Sequence, residues 1–194
     1  MRVENAQKEQ LKAISHNMSS KLLTHPLFMY YCPEKAVRRE FINCYFNYYM
    51  NIWQKNDIVL CNDENTAIVS IVNPREYSFK FSGKGAGGLK EFKLSPNIFQ
   101  HQSEIQQIFD VVVPETREGR VMLVYASINT EFNDVQKLVK EAMDIAKKEN
   151  FILLYDTFSL RLQPLMRTFG FKLVYNKNFL DTNFLHSVMV HNFN

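Results

Sequence analysis

The stretch LLYDTFSLRLQPLMRTFGFKLVYNKNF, residues 153–179, contains the pieces that decide the fold. The apolar run at residues 151–155 predicts a buried strand, and residues 159–168 predict a short helix. Gly170 follows that helix, and glycine commonly closes a helix because it adopts the left-handed conformation without strain. Residues 171–175 predict the next strand. A strand, a helix and a further strand in close succession indicate a sheet that is covered by helices.

The segments on either side extend this pattern. Residues 121–128 predict a buried strand, residues 135–148 predict an amphipathic helix, and residues 185–190 predict a last strand. Upstream, residues 58–61 and 67–72 flank the turn NDEN and predict a β-hairpin. The fold class that these elements predict is α/β (α+β), with a mixed, mostly antiparallel central sheet flanked by helices.

The N-terminal part of the chain is helical and rich in aromatic residues. Residues 4–23 predict a first helix, and residues 34–55 predict a second one with a wide apolar face. Between them, Pro26 and Pro33 enclose an aromatic turn that cannot extend the first helix. The aromatic side chains of this part are typical of a core, and an acceptor pocket is the alternative. A further helix is predicted from Ser95.

The composition is that of one globular domain spanning residues 1–194, with an N-terminal helix within residues 1–23. The formal charge of +3 favours an anionic ligand but is too small to indicate nucleic acid. Three cysteines without tight spacing indicate reduced thiols rather than disulfides or a zinc site. No apolar run of membrane-spanning length and no secretory signal occur, so we expect a cytoplasmic protein without a membrane partner, monomeric or homodimeric.

Together these pieces resemble a known protein family over about residues 24–192. The matching positions are an acidic residue and a threonine after a strand, a Gly-Phe pair that opens the next strand, and Met-Val before a basic residue at the end: Asp156, Thr157, Gly170, Phe171, Met189 and Val190. On these residues the chain resembles a divergent bacterial-type member of the GCN5-related N-acetyltransferase (GNAT) superfamily. The resemblance implies the GNAT fold and direct transfer of an acetyl group from acetyl-CoA to the amine of a small molecule or peptide.

The loop that the resemblance assigns to the pyrophosphate of acetyl-CoA departs from the family pattern. The family loop reads Q/R-x-x-G-x-G/A, and the matching residues 130–135 contain no glycine. Glu131 and Asp134 also place negative charge there. Two unit charges about 5 Å apart repel by about 3 kcal/mol at an effective dielectric constant near 20. Because Asp134 immediately precedes the predicted helix, we interpret it as the N-cap of that helix.

The resemblance nevertheless implies where acetyl-CoA would bind. In the family, the cofactor lies in the gap between two splayed strands, and backbone N–H groups of the next loop hold its pyrophosphate. The cofactor-binding positions implied here are Tyr125, Ser127, Ile128, Asn133, Asp134, Val135 and Gln136.

The catalytic groups that the resemblance implies are few. Asp156, at the end of its strand, is the predicted base for the amine, with a helix cap as the alternative role. Ser159 offers a hydroxyl nearby. The family often has a tyrosine general acid where this chain has Met166, which has no proton to donate. The alternative function is therefore a catalytically inactive or repurposed GNAT-fold binding or regulatory protein.

Other polar features favour ordinary structural roles. The histidines lack ligand spacing, so no metal site is expected: His16, His25, His101, His186 and His191. The glycine cluster at residues 82–88 fits no phosphate-binding motif and predicts a flexible connector, with a basic lid over an anionic ligand as the alternative. Arg161 and Arg167 on the short late helix are explained equally by a solvated face and by contact with CoA phosphates.

Overall fold

A computed structural model describes residues 8–74, 96–178 and 184–193. The helices are α1 (Lys8–Lys21), α2 (Pro26–Tyr31), α3 (Lys35–Asn56), α4 (Pro96–Val112), α5 (Phe132–Lys148) and α6 (Gln163–Thr168), with a 3₁₀ turn at Leu160–Leu162. The strands are β1 (Ile58–Cys61), β2 (Ala67–Val72), β3 (Gly119–Ala126), β4 (Ile152–Thr157), β5 (Lys172–Asn178) and β6 (Leu185–His191). Within these ranges, none of the helices combines the length and the apolar character that crossing a membrane requires.

The six strands form one sheet in the order β1-β2-β3-β4-β6-β5. β3 and β4 run parallel, because α5 carries the chain back across the sheet between them. The other neighbouring strands pair antiparallel. This arrangement confirms the predicted mixed, mostly antiparallel sheet flanked by helices.

Alternate strand residues point to two separate cores, one on each face of the sheet. On the first face, Leu123 and Leu154 pack with apolar side chains of α1, α2, α3 and α4. On the second face, Met122 and Leu153 pack with α5 and α6. The contribution of α5 is a buried stripe at helical spacing: Val135, Leu138, Val139, Ala142, Met143 and Ala146. Burial of each large apolar side chain stabilises the fold by about 1.5–3 kcal/mol.

Several predicted boundaries need correction. The segment between the first two helices is not merely a turn: it forms α2, with Pro26 in its first turn, where proline is well tolerated. The strand predicted at residues 121–128 ends at Ala126. The helix predicted from residue 135 begins at Phe132, because its first turn lies ahead of the buried stripe. The glycine cluster at residues 82–88 lies outside the described residues.

Two other expectations are confirmed. Gly170 follows α6 with a φ of 84°, the left-handed conformation expected of a residue that closes a helix. The aromatic residues of α2 and α3 are core residues, since these side chains are almost completely buried: Phe28, Tyr30, Tyr31, Phe41, Tyr45, Phe46 and Tyr49. The interpretation of these residues as packing therefore replaces the acceptor-pocket alternative.

Candidate functional site

The parallel pairing of β3 with β4 stops before either strand ends. The last pair is Leu123 with Asp156. β3 continues beyond this point with β2, as far as the pair of Ala126 with Ala67. β4 continues with β6, as far as the pair of Thr157 with Ser187. The two strands therefore diverge after Asp156, and a gap opens between them at this edge of the sheet.

Asp156 lies between two histidine rings at the start of this gap. Its side chain is 2% exposed and faces the first core. The carboxylate Oδ2 lies 2.9 Å from Nε2 of His101 on α4, and Oδ1 lies 2.8 Å from Nε2 of His186 on β6. Because an ionised carboxylate accepts hydrogen bonds only, His186 donates to it from Nε2, while Nε2 of His101 lies at ion-pair distance from the other oxygen.

The other nitrogen of each imidazole contacts a further ionisable side chain. Nδ1 of His101 lies 2.5 Å from the hydroxyl of Tyr31 on α2. Nδ1 of His186 lies 3.4 Å from Oε2 of Glu104, one turn along α4. The second carboxylate oxygen of Glu104 accepts a hydrogen bond of 2.9 Å from Nζ of Lys177 on β5. The cluster thus joins the central carboxylate on β4 to residues on four other elements, α2, α4, β5 and β6.

Phe158 covers both imidazoles. Its ring stacks on the ring of His186, with centroids 4.8 Å apart and an interplanar angle of 12°. It meets the ring of His101 edge to face at 4.9 Å. Phe158, His101 and His186 are all nearly fully buried. The aromatic cover fixes the orientation of the imidazoles and keeps bulk water from the Asp156 carboxylate.

The electrostatics of the cluster hold Asp156 in its ionised form. Burial alone raises the pKa of a carboxyl, but the charges of His101 and His186 and the hydrogen bond from His186 outweigh burial here and hold the pKa of Asp156 well below its usual range. Burial likewise opposes ionisation of Glu104, yet its hydrogen bonds, chiefly with Lys177, lower its pKa. Both carboxylates are therefore anions at neutral pH. Asp156 is then a weak proton acceptor and a strong anchor for the imidazoles.

His101 and His186 are functional candidates that the sequence did not indicate, because the histidines lack ligand spacing along the chain. Among the described residues, the ligating atoms of His101, Asp156 and His186 lie within 4.8 Å of one another. Each Nε2 lies within 3 Å of a different carboxylate oxygen, His186 in a hydrogen bond and His101 in an ion-pair contact. The sequence signal that could have indicated the cluster is a polar residue on the buried face of an otherwise apolar element: His101 on α4, Asp156 on β4 and His186 on β6.

Ser159, the second predicted catalytic residue, has a structural role in the cluster's neighbourhood. Its Oγ accepts a hydrogen bond of 3.3 Å from the amide of Arg161 and so caps the 3₁₀ turn. Its own amide donates to Oγ1 of Thr157 at 2.9 Å. The helix cap that was the alternative role of Asp156 is thus provided by Ser159.

The predicted cofactor-binding loop forms many of its hydrogen bonds within the chain. The amide of Ser127 donates to the carbonyl of Thr66 at 3.0 Å. The amides of Asp134 and Val135 both donate to the carbonyl of Glu131, at 3.1 and 3.4 Å. Gln136 lies inside α5, and the side chain of Val135 is buried in the second core. These positions therefore offer a ligand fewer free hydrogen-bond donors than the resemblance implied.

Backbone amides in the loop after β3 and in the first turn of α5 remain available. In the described part of the chain, no hydrogen bond uses the backbone N–H groups of Ile128, Phe132 and Asn133. α5 has 17 residues, and the first N–H groups of a helix of this length, together with its dipole, favour an anion. Of the predicted cofactor-binding positions, Ile128 and Asn133 thus retain a free donor.

The interpretation of Asp134 as the N-cap of α5 is wrong. Glu131 is the N-cap, without a side-chain capping bond, because the helix begins three residues before the predicted start. The Asp134 carboxylate instead accepts a hydrogen bond of 3.4 Å from the side chain of Asn62 and lies 3.9 Å from Nζ of Lys137. An acidic side chain in the first turn still interacts favourably with the helix dipole.

Arg161 crosses the open end of the gap. Its guanidinium donates to the carbonyl of Ser127 at 3.1 Å and to the carbonyl of Thr130 at 3.3 Å. It therefore ties the turn after β4 to the loop after β3. Exposed apolar side chains lie on the same two segments: Ile128, Phe132 and Leu160. The mouth of the gap combines one bound guanidinium with apolar surface.

Two further predicted positions are enclosed by the cores. The hydroxyl of Tyr125 lies 2.9 Å from the hydroxyl of Tyr45, and its ring stacks on Phe28 with centroids 5.8 Å apart. Tyr125 thus extends from the gap into the aromatic core, and its side chain does not line an open surface. Met166, which stands in the family's general-acid position, is fully buried in the second core.

No protein-family model and no curated protein matches the chain. Solved structures do match it over almost the whole length of both partners. The C-terminal condensation domain of Ebony, in complex with β-alanyl-dopamine, has 13% identity and a TM-score of 0.71, with 99% of this chain and 97% of that chain covered.

Two acetyltransferase structures are also similar. Polyamine N-acetyltransferase of Drosophila melanogaster, which forms N-acetylagmatine, has 12% identity and a TM-score of 0.53, covering 93% of this chain and 96% of that one. The candidate acetyltransferase yncA of Salmonella typhimurium, with its cofactor acetyl-CoA, has 13% identity and a TM-score of 0.52, covering 97% and 91%. At such low sequence identity, these structural similarities show the fold alone. Together with the strand order and the diverging parallel strands, it shows that the chain has the GNAT fold.

Proposed function

We propose that the chain is an N-acyltransferase that moves an acyl group from a thioester, in the first instance acetyl-CoA, to a small amine. The carrying observation is the buried cluster of His101, Asp156 and His186 at the point where β3 and β4 diverge. The similar structures support the substrate classes. One holds its cofactor acetyl-CoA, one forms N-acetylagmatine, and one holds β-alanyl-dopamine.

The chemistry of the reaction requires a proton acceptor. An amine reaches the site as an ammonium ion and attacks the thioester carbonyl only after it loses a proton. The new C–N bond replaces the C–S bond, the thiolate takes up one proton, and the second proton leaves the site. Because Asp156 is a weak base, we assign the acceptor role to the imidazole of His101, reached through Tyr31. Asp156 then orients the ring, as the carboxylate of a catalytic triad does.

The groups that would bind the phosphates of acetyl-CoA are less complementary in charge than a glycine-rich loop with no acidic side chain. The free amides of Ile128, Phe132 and Asn133 and the guanidinium of Arg161 offer donors to a phosphate group. Glu131, beside them, carries the opposite charge to what a pyrophosphate needs. We therefore expect acetyl-CoA to bind more weakly than it would to a glycine-rich loop.

A second candidate function is a GNAT-fold binding or regulatory protein without acyl transfer. The observation that favours it is the pair of hydrogen bonds from Arg161 to Ser127 and Thr130, which closes the mouth of the gap without a ligand. In this alternative the buried cluster is a structural network. The exposed apolar side chains around Arg161 would then contact a partner.

Thermal unfolding with acetyl-CoA, together with a thiol-release assay on a panel of small amines, separates the two functions. The transferase predicts a Tm that rises with acetyl-CoA concentration, because the ligand binds only the folded state. It also predicts turnover that falls by about 10²–10⁴-fold in His101→Gln, the range for loss of a general base. His16→Gln, an exposed histidine on α1, is the matched control. A Tm that stays constant at millimolar acetyl-CoA, together with no turnover, would contradict the transferase and favour the binding or regulatory protein.

A further inference from the structure

We propose that His101, Asp156 and His186 form a binding site for one divalent transition-metal ion, with Zn²⁺ as the ion that fits best. Two imidazole nitrogens and a carboxylate are a donor set that Zn²⁺ takes in sites with three protein ligands. Mg²⁺ and Ca²⁺ prefer ligands that are all oxygen. The inference goes beyond the proposed acyl transfer, because it concerns a different ligand of the cluster and is tested without an acyl donor.

The ligand atoms come from three elements that are distant along the chain. His101 lies on α4, Asp156 on β4 and His186 on β6. Among the residues that the structure describes, one ligand atom of each lies within 4.8 Å of the other two, and all three side chains are buried. The sequence predicted no metal site because its histidines lack ligand spacing. Spacing does not report on residues that the packing of α4 against the sheet brings together.

One of the ligand atoms, Nε2 of His101, is buried without a hydrogen bond to any described residue. It lies 2.9 Å from Oδ2 of Asp156, at ion-pair distance only. Buried polar atoms are nearly always hydrogen-bonded, and a bound ion is one of the causes of an exception. An ion shared between this nitrogen and the Asp156 carboxylate gives both atoms a partner.

The contacts of His186 also fit an ion at Nε2. A neutral imidazole carries one N–H group, and in His186 it is at Nε2, which donates to Oδ1 of Asp156 at 2.8 Å. Nδ1 then faces Oε2 of Glu104 at 3.4 Å, which is longer than a charge-assisted hydrogen bond. An ion at Nε2 takes the place of the proton there. The single ring proton then lies at Nδ1, where the Glu104 carboxylate accepts a hydrogen bond from it.

Both imidazoles have the outer partners that metal-bound histidines use. Such a histidine donates its other N–H to a carboxylate, a carbonyl or a water, which fixes the tautomer and the orientation of the ring. Glu104 is the partner of His186, and the hydroxyl of Tyr31 lies 2.5 Å from Nδ1 of His101. Phe158 stacks on His186 with an interplanar angle of 12° and limits its rotation. The rings are therefore held with Nε2 toward the shared carboxylate.

The distances accommodate the ion after a small adjustment. Bonds of about 2.0–2.2 Å to a tetrahedral Zn²⁺ place neighbouring ligand atoms about 3.3 Å apart. The Nε2 atoms of His101 and His186 lie 2.9 and 2.8 Å from the Asp156 oxygens, so each pair must separate by about 0.4–0.5 Å. The charge is also suitable. Two carboxylates, Asp156 and Glu104, face one ammonium group, Lys177, and this excess of negative charge favours a cation.

The ion and the proton that acyl transfer releases compete for His101. The proposed transferase accepts that proton at Nδ1 of His101, which requires the ring N–H at Nε2. An ion at Nε2 moves the N–H to Nδ1, where no lone pair then remains. We therefore expect the ion-bound protein to be the inactive state of the proposed transferase.

The experiment adds Zn²⁺ to the full chain after treatment with a chelator and follows binding by calorimetry, with Mg²⁺ as the comparison. We expect one Zn²⁺ per chain and no binding of Mg²⁺. Long-range ¹H–¹⁵N spectra of the imidazoles on the same samples report the tautomers. His101 and His186 should both take the form with N–H at Nδ1 when Zn²⁺ is added. A cluster that serves only as a structural network predicts no change in the tautomers.

Variants locate the bound ion. His101→Gln and His186→Gln each remove a ligand and should weaken Zn²⁺ binding by more than about 100-fold. Glu104→Gln removes an outer partner and should weaken it by about 10- to 100-fold, the range for loss of such a partner. His16→Gln, at an exposed histidine on α1, is the matched control and should bind Zn²⁺ as wild type does.

Two results would overturn the site. One is the absence of stoichiometric binding at millimolar Zn²⁺, and the other is binding that persists in His186→Gln and is lost in His16→Gln. If the histidine variants do not fold, Glu104→Gln and the wild-type spectra decide, since the Glu104 side chain is 13% exposed and lies outside the ligand set. Unchanged affinity in Glu104→Gln together with unchanged tautomers would contradict the proposal. None of these measurements depends on acyl transfer, so the proposed function stands or fails separately.

Discussion

Leu123 and Asp156 form the last pair of the parallel ladder between β3 and β4, and the Asp156 carboxylate is also the centre of the buried histidine cluster. The opening of the sheet and the polar cluster therefore occur at one place. Asp156 is an ionised side chain in a strand whose other residues are apolar or neutral. Two imidazoles compensate the cost of burying this charge.

Replacing Asp156 with Asn should destabilise the protein. The amide of Asn offers one oxygen acceptor, and its NH₂ group faces an imidazole donor, so one hydrogen bond is lost and a repulsive contact replaces it. We expect the free energy of unfolding to fall by about 3–5 kcal/mol, as when one partner of a buried charged network is removed. Urea denaturation measures this change. Asp144→Asn, exposed on α5, should change it by less than about 0.5 kcal/mol. Equal effects of the two substitutions would contradict the network.

His25 gives the protein a pH-dependent stability between pH 7 and 4. Burial lowers the pKa of His25 from 6.5 to about 4. The unfolded chain therefore binds a proton at a higher pH than the folded chain does, and the free energy of unfolding decreases as pH falls from about 6.5 to about 4. A shift of this size corresponds to about 3 kcal/mol.

The variant His25→Phe isolates this contribution. It keeps an aromatic ring against Phe28 and Tyr125 and removes the titrating group. The difference in unfolding free energy between wild type and variant should change by about 3 kcal/mol between pH 7 and 4, since other groups cancel. Denaturant unfolding at several pH values measures it. A difference that stays constant with pH would show that His25 does not titrate in this range.

The parts of the fold that depend on local patterns could be predicted from the sequence. The hairpin and α5 follow from the spacing of apolar residues, and Gly170 from its conformational freedom. The start of α5 was misplaced because Phe132, which opens the helix, is exposed and lies outside the buried stripe. Apolar periodicity reports the buried face of a helix and not its first turn.

The site depended on contacts that no local pattern reveals. Asp156 was identified from its place at a strand end, but its partners are distant in the chain. His101 reaches it because α4 packs on the first face of the sheet, and His186 because β6 lies beside β4. The hydrogen bond from Arg161 to Ser127 likewise requires the divergence of two strands. These are tertiary relationships, and spacing along the sequence does not encode them.

Met166→Tyr should not create a general acid. Met166 is fully buried among the side chains of the second core, so a tyrosine there overfills the core and buries a hydroxyl. Overpacking of this kind costs about 1–3 kcal/mol. We expect a lower Tm and no gain in acetyl transfer. Arg167→Tyr, at the exposed neighbouring position, should leave the Tm nearly unchanged. A gain in turnover in Met166→Tyr alone would show that position 166 faces the ligand after all.

Gly119→Ala tests how closely α4 must approach the sheet to place its side chains against Asp156. A Cβ at Gly119 would lie 2.6 Å from Cζ of Phe109 on α4 and 2.7 Å from Cγ2 of Val113, which follows this helix. The substitution therefore displaces these side chains or α4 itself, the helix that carries His101. We expect a loss of about 1–3 kcal/mol in the free energy of unfolding, the cost of overpacking.

The double variant Gly119→Ala with Phe109→Leu shows whether the clash is the cause. The shorter leucine side chain removes the ring atoms that the new Cβ would contact. If contact with Phe109 causes the loss, the two substitutions together cost less than the sum of their separate effects, and a double-mutant cycle in urea gives a coupling energy of about 0.5–3 kcal/mol. If the two effects on the free energy of unfolding are strictly additive, the destabilisation comes instead from the contact with Val113 or from the strand itself. Since α4 carries His101, the same displacement should also weaken the proposed acetyl transfer in Gly119→Ala, and Phe109→Leu should restore part of it.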